Sequence, residues 1–394
     1  MKKLEIKVVF AFLCLVLAVI LALPGYAPAA AEKKPLKIGL LLPYTGFDPR
    51  NAPQMEAAIR LRLDEIGWNV GGRKIELITE DEATNPTVGV QKAMKLVEQD
   101  QVDVILGALF GNVVVAVAGY AKKAGKPYAP VVQQSMSAIR TAPDNVVLPT
   151  GTLKGSTYPS GLYAYDKLGY RTATVLYSDY IAGQEYMGGF VEGFQKRGGT
   201  IVQKQAVPLG TLDFAPYLTN LKKADVMAFW FAGTMGPFLK QYYEFKLGLP
   251  VVAPTNWTIE MEIMRELGDK ALGVIGAGHD SEDVPATAKN RDFVEAMKKR
   301  LGGMPPNHYM YSAYIIAATY LEAAKATGGD TSLEKIIKAW RAIKMETPMG
   351  VISFDKDGCG IGDLYVFKFA KEGAKYYWQP VESYKQMPMR VPGE

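Results

Sequence analysis

The chain has 394 residues, 48% of them apolar, with 45 Lys and Arg against 40 Asp and Glu for a formal net charge of +5. Charges of both signs are interspersed, which excludes the basic footprint of a nucleic-acid or membrane-surface binder. Two cysteines and two histidines leave little material for a disulfide framework or a histidine metal site.

Lys2, Lys3 and Lys7 form a basic start, residues 8–23 are apolar, Pro24-Gly25 breaks the run, and Ala29-Ala30-Ala31 offers small residues to a signal peptidase. Residues 1–31 therefore read as a signal peptide, with an uncleaved membrane anchor as the alternative. Cys14 follows Leu13, where a lipoprotein signal would want a small residue, so it reads as part of the apolar stretch. Removing the leader leaves about 360 residues, a net charge near +3 and a single cysteine, Cys359, which excludes an intramolecular disulfide. That length suffices for two domains. Nothing after Leu23 is apolar for long enough to span a bilayer.

The segment 36–46, Leu-Lys-Ile-Gly-Leu-Leu-Leu-Pro-Tyr-Thr-Gly, is near-continuously apolar until Pro43, as a parallel strand covered on both faces would be. Ligands bind outside the carboxyl ends of strands in open α/β sheets, which directs attention to residues 44–51. Residues 52–65 have helical spacing, with Met55, Ile59, Leu63 and Ile66 on one face. Gly71-Gly72 turns the chain into a strand at 74–80. A helix at 87–99, a strand at 102–106 ending at Gly107, a helix at 113–123 closed by Gly125 and a strand at 128–132 follow. Strand and helix alternate, which predicts βαβ units and a doubly wound parallel sheet. Residues 148–155 are punctuation and read as a crossover. A second alternating set follows, with strands at 172–177, 201–207, 225–231 and 251–253 and helices at 184–197, 214–222, 235–247 and 260–267. Residues 273–278 read as a second crossover. Long helices at 288–301, 309–326 and 333–343 lead to a hairpin of 350–354 and 364–369, whose turn holds Asp355, Asp357 and Gly358.

The ordered set of strand, Thr45-Gly46, amphipathic helix, Gly71-Gly72, strand and Asp81-Glu82-Ala83-Thr84-Asn85-Pro86 resembles the leucine/isoleucine/valine-binding protein family, periplasmic receptors of ATP-driven (ABC) importers. Gly107, Asp213-Phe214, and Met349-Gly350 with Phe354-Asp355-Lys356-Asp357-Gly358 extend the likeness over about 36–371. The resemblance implies a type I periplasmic binding protein fold: two doubly wound, Rossmann-like α/β lobes joined by three hinge crossovers near Thr150, Gly278 and Pro348. The expected lobes are 36–150 with 280–346, and 151–279 with 347–394. The family often bridges the loops at Thr84 and Phe110 with a disulfide; both cysteines are absent here together.

In that family the loop after Gly107 offers backbone amides and a serine to an α-carboxylate. Here it reads Ala108-Leu109-Phe110-Gly111-Asn112, and the serine position falls on Gly111, which keeps an amide without a hydroxyl. A plain glycine turn is the other reading. Gln133 and Gln134 stand in the next loop, either to orient a carboxylate or hydroxyl or as a surface pair. The acid that the family sets against an ammonium group falls at Thr255, followed by Asn256 and Trp257. A buried cation needs a paired anion, so an α-amino acid is disfavoured. Phe47, Phe110, Tyr180, Phe231, Trp257 and Tyr309 are candidate apolar walls, with Phe231 and Tyr309 also readable as core residues. Arg50 suits a bidentate grip on a carboxylate, or is solvated.

Catalysis finds no support. His279, at the crossover, is a candidate cleft residue, and His308 reads as a core or surface histidine; neither has a metal-site spacing. No nucleophile elbow or phosphate loop is present, and Gly358-Cys359-Gly360-Ile361-Gly362 lies in a hairpin turn. The expectation is an exported, periplasmic, monomeric receptor without enzyme activity, cofactor or metal. It would close on a small aromatic or hydrophobic carboxylate and deliver it to the permease of an ABC importer. One alternative is branched-chain amino acid uptake with Asp280 or Glu260 as ammonium partner; another is a ligand-sensing domain.

Overall fold

A computed structural model describes residues 33–47, 49–256, 261–279, 281–282 and 284–394. The expected leader at 1–31, and Trp257, Glu260 and Asp280, lie outside the described residues. The first sheet is built from β1 (Leu36–Leu42), β2 (Asn69–Val70), β3 (Arg73–Asp81), β4 (Val104–Gly107) and β5 (Tyr128–Ala129), in the order β2-β3-β1-β4-β5. All its pairings are parallel except that of β2. The expected strand at 128–132 is thus only two residues long.

Strand β1 is central because both of its faces are covered. Leu36, Ile38, Leu40 and Leu42 enter one core with Met55, Ile59 and Leu63 of α1 (Asn51–Glu65). Leu41 points the other way, into a core with Leu96, Val113 and Val117. Each such buried leucine contributes roughly 1.5–3 kcal/mol relative to exposure. Helix α2 (Pro86–Met94) is capped by Asn85, whose Oδ1 accepts from the amides of Thr87 at 2.9 Å and Val88 at 3.3 Å, and runs on into a π-turn at Lys95–Gln99. Helix α3 (Gly111–Ala124) ends at Gly125 with φ 63°, a left-handed C-cap. A short α4 (Ser137–Thr141) precedes the first crossing.

The second sheet has nine strands. The parallel part is β6 (Thr172–Ser178), β7 (Thr200–Val207), β8 (Val226–Trp230), β9 (Val251–Thr255) and β10 (Ile275–Gly278). The antiparallel part is β11 (Met345–Thr347), β12 (Gly350–Phe354), β13 (Gly360–Glu372) and β14 (Lys375–Pro388), giving the order β11-β12-β13-β10-β9-β8-β6-β7 with β14 on β13. Helices α5 (Leu153–Asp166), α6 (Ile181–Lys196), α7 (Ala215–Thr219), α8 (Met235–Phe245) and α9 (Met261–Leu267) belong to this half. The chain then returns to the first half with α10 (Ala288–Arg300), α11 (His308–Ala326) and α12 (Leu333–Arg341). Their Phe293, Met297, Tyr311, Ile315 and Trp340 share the core of Leu40. Three crossings therefore join the halves, as expected.

Four expectations are corrected. Residues 275–278 are a strand, not a crossover: a Cβ on Gly276 would meet the Asn256 backbone at 2.8 Å, so the glycine serves close packing of β10 on β9. The crossing begins at His279. The punctuation expected at 148–155 gives way at Leu153 to helix α5, which carries Gly155, Pro159 and Gly161 and no apolar stripe; the helix is mostly buried and packs tightly on α6, where a Cβ at Gly161 would lie 2.1 Å from the Phe190 carbonyl. The final hairpin gains a long third strand, β14, and the expected helix at 214–222 shrinks to α7.

After β14 the tail ties two crossings together. Thr152 donates its amide to the Met389 carbonyl at 2.7 Å, and Met389 donates to Gly360 at 2.8 Å. Arg390 reaches Asp355 at 2.8 Å and Asp357 at 3.0 Å in the β12–β13 turn. The turn itself closes through a hydrogen bond from the Asp355 amide to the Cys359 carbonyl at 2.9 Å, and Cys359 is a buried free thiol.

Candidate functional site

In each sheet the strand order reverses at the first strand, β1 between β3 and β4, and β6 between β7 and β8. Crevices open at the carboxyl ends there. The loop after β1 is ordered by Thr45, whose hydroxyl donates to Asp81 at 2.6 Å, and by Phe47, whose amide donates to the Thr84 hydroxyl at 3.1 Å. Phe47 is 62% exposed and meets Phe110 edge to face at 6.0 Å. A Cβ on Gly233, after β8, would sit 3.9 Å from the Phe47 ring, so this ring reaches the opposite half.

The loop after β4 is backed by Glu82. The Leu109 amide donates to its Oε1 at 3.3 Å, and the Phe110 amide also bonds it. Glu82 is fully buried, and desolvation lifts its carboxyl to about 8, against the lowering effect of those two amides. The amides of Leu109 and Phe110 are therefore engaged, while Gly111 stands at the N-terminus of α3. Gln134 fixes the loop by donating to the Leu109 carbonyl at 2.7 Å, and its Oε1 lies 3.5 Å from where a Gly111 Cβ would be.

Neither glutamine is a surface residue: Gln133 is 0% and Gln134 3% exposed. Gln133 Oε1 lies 2.7 Å from His308 Nε2, and its Nε2 has no partner. His308 is buried at the start of α11, its ring 6.2 Å from that of His279 and 6.4 Å from that of Tyr309.

On the second half, Trp230 ends β8 with Tyr186 at 4.8 Å and Tyr180 at 6.0 Å. Burial, reinforced by the charge of Tyr309, holds the phenols of Tyr180 and Tyr186 well above the ordinary tyrosine range. The Trp230 Nε1 is buried without a partner, as is Asn256 Oδ1. Thr255 is fully buried at the end of β9. Phe231 faces the other way, among Phe214, Phe229 and Phe238 at 4.7–6.2 Å, so its ring belongs to the core. Arg50 is exposed just before α1.

The strand ends thus bring together Phe47, Phe110, Gln133, Tyr180, His279 and Tyr309, and separate Phe231 from them. Sequence reading missed Trp230, Tyr186 and the partnership of His308 with Gln133. An aromatic as the last residue of a buried strand was the available signal for Trp230. Among the described residues no cluster of His, Cys, Asp and Glu could hold a metal ion, and no helix is long and apolar enough to cross a membrane. Two surface grooves of about 630 and 690 Å³ lie elsewhere, beside α12 and at Val284 to Thr287, away from these strand ends.

Comparisons with known proteins bear on this geometry. The family profile described as periplasmic binding protein matches residues 35–374. A Brucella melitensis protein described as Leu/Ile/Val-binding protein homolog 6 is 28% identical over 380 residues, covering 93% of this chain and 96% of its own length. An ABC transporter substrate-binding protein from Sphaerobacter thermophilus is 28% identical with a TM-score of 0.84, over 90% of this chain and 99% of that one. A solute-binding protein of an ABC transporter from Rhodopseudomonas palustris BisB5, crystallised with 3,4-dihydroxybenzoic acid, is 31% identical with a TM-score of 0.80, over 89% and 98%. The two parallel-dominated sheets and three crossings agree with the type I arrangement expected from the sequence.

Proposed function

The chain belongs to the periplasmic binding protein family and is a solute-binding receptor of the ABC-transporter type; from that premise we propose that its solute is a small aromatic or hydrophobic carboxylate without an ammonium group. The carrying observation is the aromatic set at the strand ends, Phe47 against Phe110, Tyr180 and Tyr186 against Trp230, and Tyr309 against His308, together with two unpartnered neutral donors, Gln133 Nε2 and Trp230 Nε1. Rings of this size supply most of the binding energy by burial, while a few polar groups orient the solute. The Gly111 amide, Gln133 and Arg50 hold the acid, and Leu109, Gln134, Thr255, Asn256, Trp257 and His279 complete the site.

An ammonium group buried here would need a carboxylate. Thr255 offers none, and among the described residues the buried acids Glu82 and Glu185 are engaged, Glu82 by loop amides and Glu185 by Ser135. The 3,4-dihydroxybenzoic acid bound by the Rhodopseudomonas relative supports the aromatic reading. The lobes, 36–150 with 280–346 and 151–279 with 347–394, close about the three crossings, and the closed form engages the permease. The receptor works as an exported periplasmic monomer, after loss of its leader, and performs no chemistry on the solute.

The name of the Brucella relative favours a second reading, uptake of branched-chain amino acids, with Asp280 or Glu260 as the ammonium partner. Calorimetric titration with aromatic acids and with leucine separates the two.

A further inference from the structure

We propose that His308 is a positioning residue that fixes the Gln133 side chain as a hydrogen-bond donor to the solute, which makes an acceptor atom on the solute obligatory. This rests on the proposed reading of the strand ends as a carboxylate site. The two side chains come from different segments, the loop after β5 and the first residue of α11, and both are buried, at 0% and 2% exposure. Gln133 Oε1 lies 2.7 Å from His308 Nε2. An amide oxygen only accepts, so His308 Nε2 carries the hydrogen. Ser312 Oγ, 3.3 Å from the same nitrogen, lies one helical turn on and is the weaker contact.

The consequence falls on the other end of the amide. With its oxygen held by the imidazole, Gln133 cannot exchange its oxygen and nitrogen ends, and its NH2 group is left buried with no protein partner. An unmet buried donor is destabilising, and native proteins retain such a group where something else satisfies it. The imidazole is itself held in place, with the His279 ring tilted by 23° at 6.2 Å and the Tyr309 ring at 6.4 Å. A carboxylate oxygen fits the amide donor. A solute group that can only donate, such as an ammonium, meets a donor and is rejected. The pair therefore adds a repulsive element to the selectivity that the absent acid at Thr255 begins.

A double-mutant cycle tests this. Calorimetry with 3,4-dihydroxybenzoate is run on the full exported chain and on Gln133→Leu, His308→Phe and the double variant, with leucine, which also carries a carboxylate, as a second probe. Each single change is expected to weaken binding about tenfold or more, and the double to weaken it no further than Gln133→Leu alone. His308→Gln, which keeps an N–H donor, is expected to bind within about threefold of the wild-type protein, and this rescue separates positioning from a packing defect. Binding with multiplicative losses in the double variant, or no rescue, would overturn the proposal while leaving the carboxylate reading intact. Failure of both probes to bind the wild-type protein would overturn both.

Discussion

The Ser135 hydroxyl donates to Glu185 Oε1 at 2.5 Å, joining the loop after β5 in the first half to α6 in the second. The other carboxylate oxygen is buried with no partner. Burial raises this carboxyl above its ordinary range, and the Ser135 bond opposes the rise. One hydroxyl thus offsets part of the cost of placing an acid between the two halves.

Ser135→Ala should destabilise the protein by about 1–3 kcal/mol, the cost of stripping a buried acceptor. The loss should be larger at pH 8 than at pH 5, because the bond favours the ionised acid. Urea unfolding at both values checks the size and the sign.

Glu82 gives the opposite kind of pH dependence from a salt-bridged acid. Its carboxyl titrates near 8 in the folded protein and at the ordinary 4.5 in the unfolded chain. Between those values the native state holds the extra proton, so stability is full at low pH and falls as pH rises toward 8. Glu82→Gln should shrink the fall in unfolding free energy between pH 5 and pH 8 by roughly 2–4 kcal/mol. An unchanged fall would show that Glu82 is ionised throughout.

Trp230 carries a buried donor that the protein leaves unmet. Trp230→Phe removes that donor while keeping a ring against Tyr186. The cavity cost and the relief of an orphaned donor are of similar size, so stability without solute should change by no more than about 1.5 kcal/mol. Affinity for an aromatic acid should nevertheless fall about tenfold, which corresponds to one hydrogen bond of about 1.4 kcal/mol. Thermal melts and calorimetry on the same variant separate the two effects.

Arg390 holds the tail to the β12–β13 turn through Asp355 and Asp357, and its side chain is only 19% exposed. Pairs this sheltered matter more than surface ones. Arg390→Ala should cost roughly 1–3 kcal/mol by removing the cation from the sheltered Asp355, which keeps only its backbone amides, while Asp357 keeps Lys356. A change below about 0.5 kcal/mol in denaturant unfolding would place the tail outside the cooperative structure.

Much of this fold is legible in the sequence, for reasons visible in particular elements. The apolar run of β1 and the spacing of Met55, Ile59 and Leu63 identify a covered strand and its helix, because one period of burial governs each. Helix α5 escapes for the converse reason, since burial on most sides and small residues at the contact with α6 erase the periodic signal. Gly276 misleads because close backbone approach and chain reversal both call for glycine. At the site, Trp230 and Phe231 are adjacent aromatics at the end of one strand, and alternation sends them to opposite sides. Sequence alone gives no parity, so it nominated the ring that faces the core. Gln133 and Gln134 look like loop surface until His308 of α11 and the Leu109 carbonyl take up their side chains, and the first of these is a long-range contact no local pattern records.

The central claim is that a neutral aromatic site grips a carboxylate and no ammonium group. Isothermal titration of the exported chain with benzoate, 4-hydroxybenzoate and 3,4-dihydroxybenzoate, beside leucine, isoleucine and valine, tests it most directly. Saturable binding of at least one aromatic acid with no heat from the amino acids is the predicted result. Submicromolar binding of leucine with silence from every aromatic acid would contradict it.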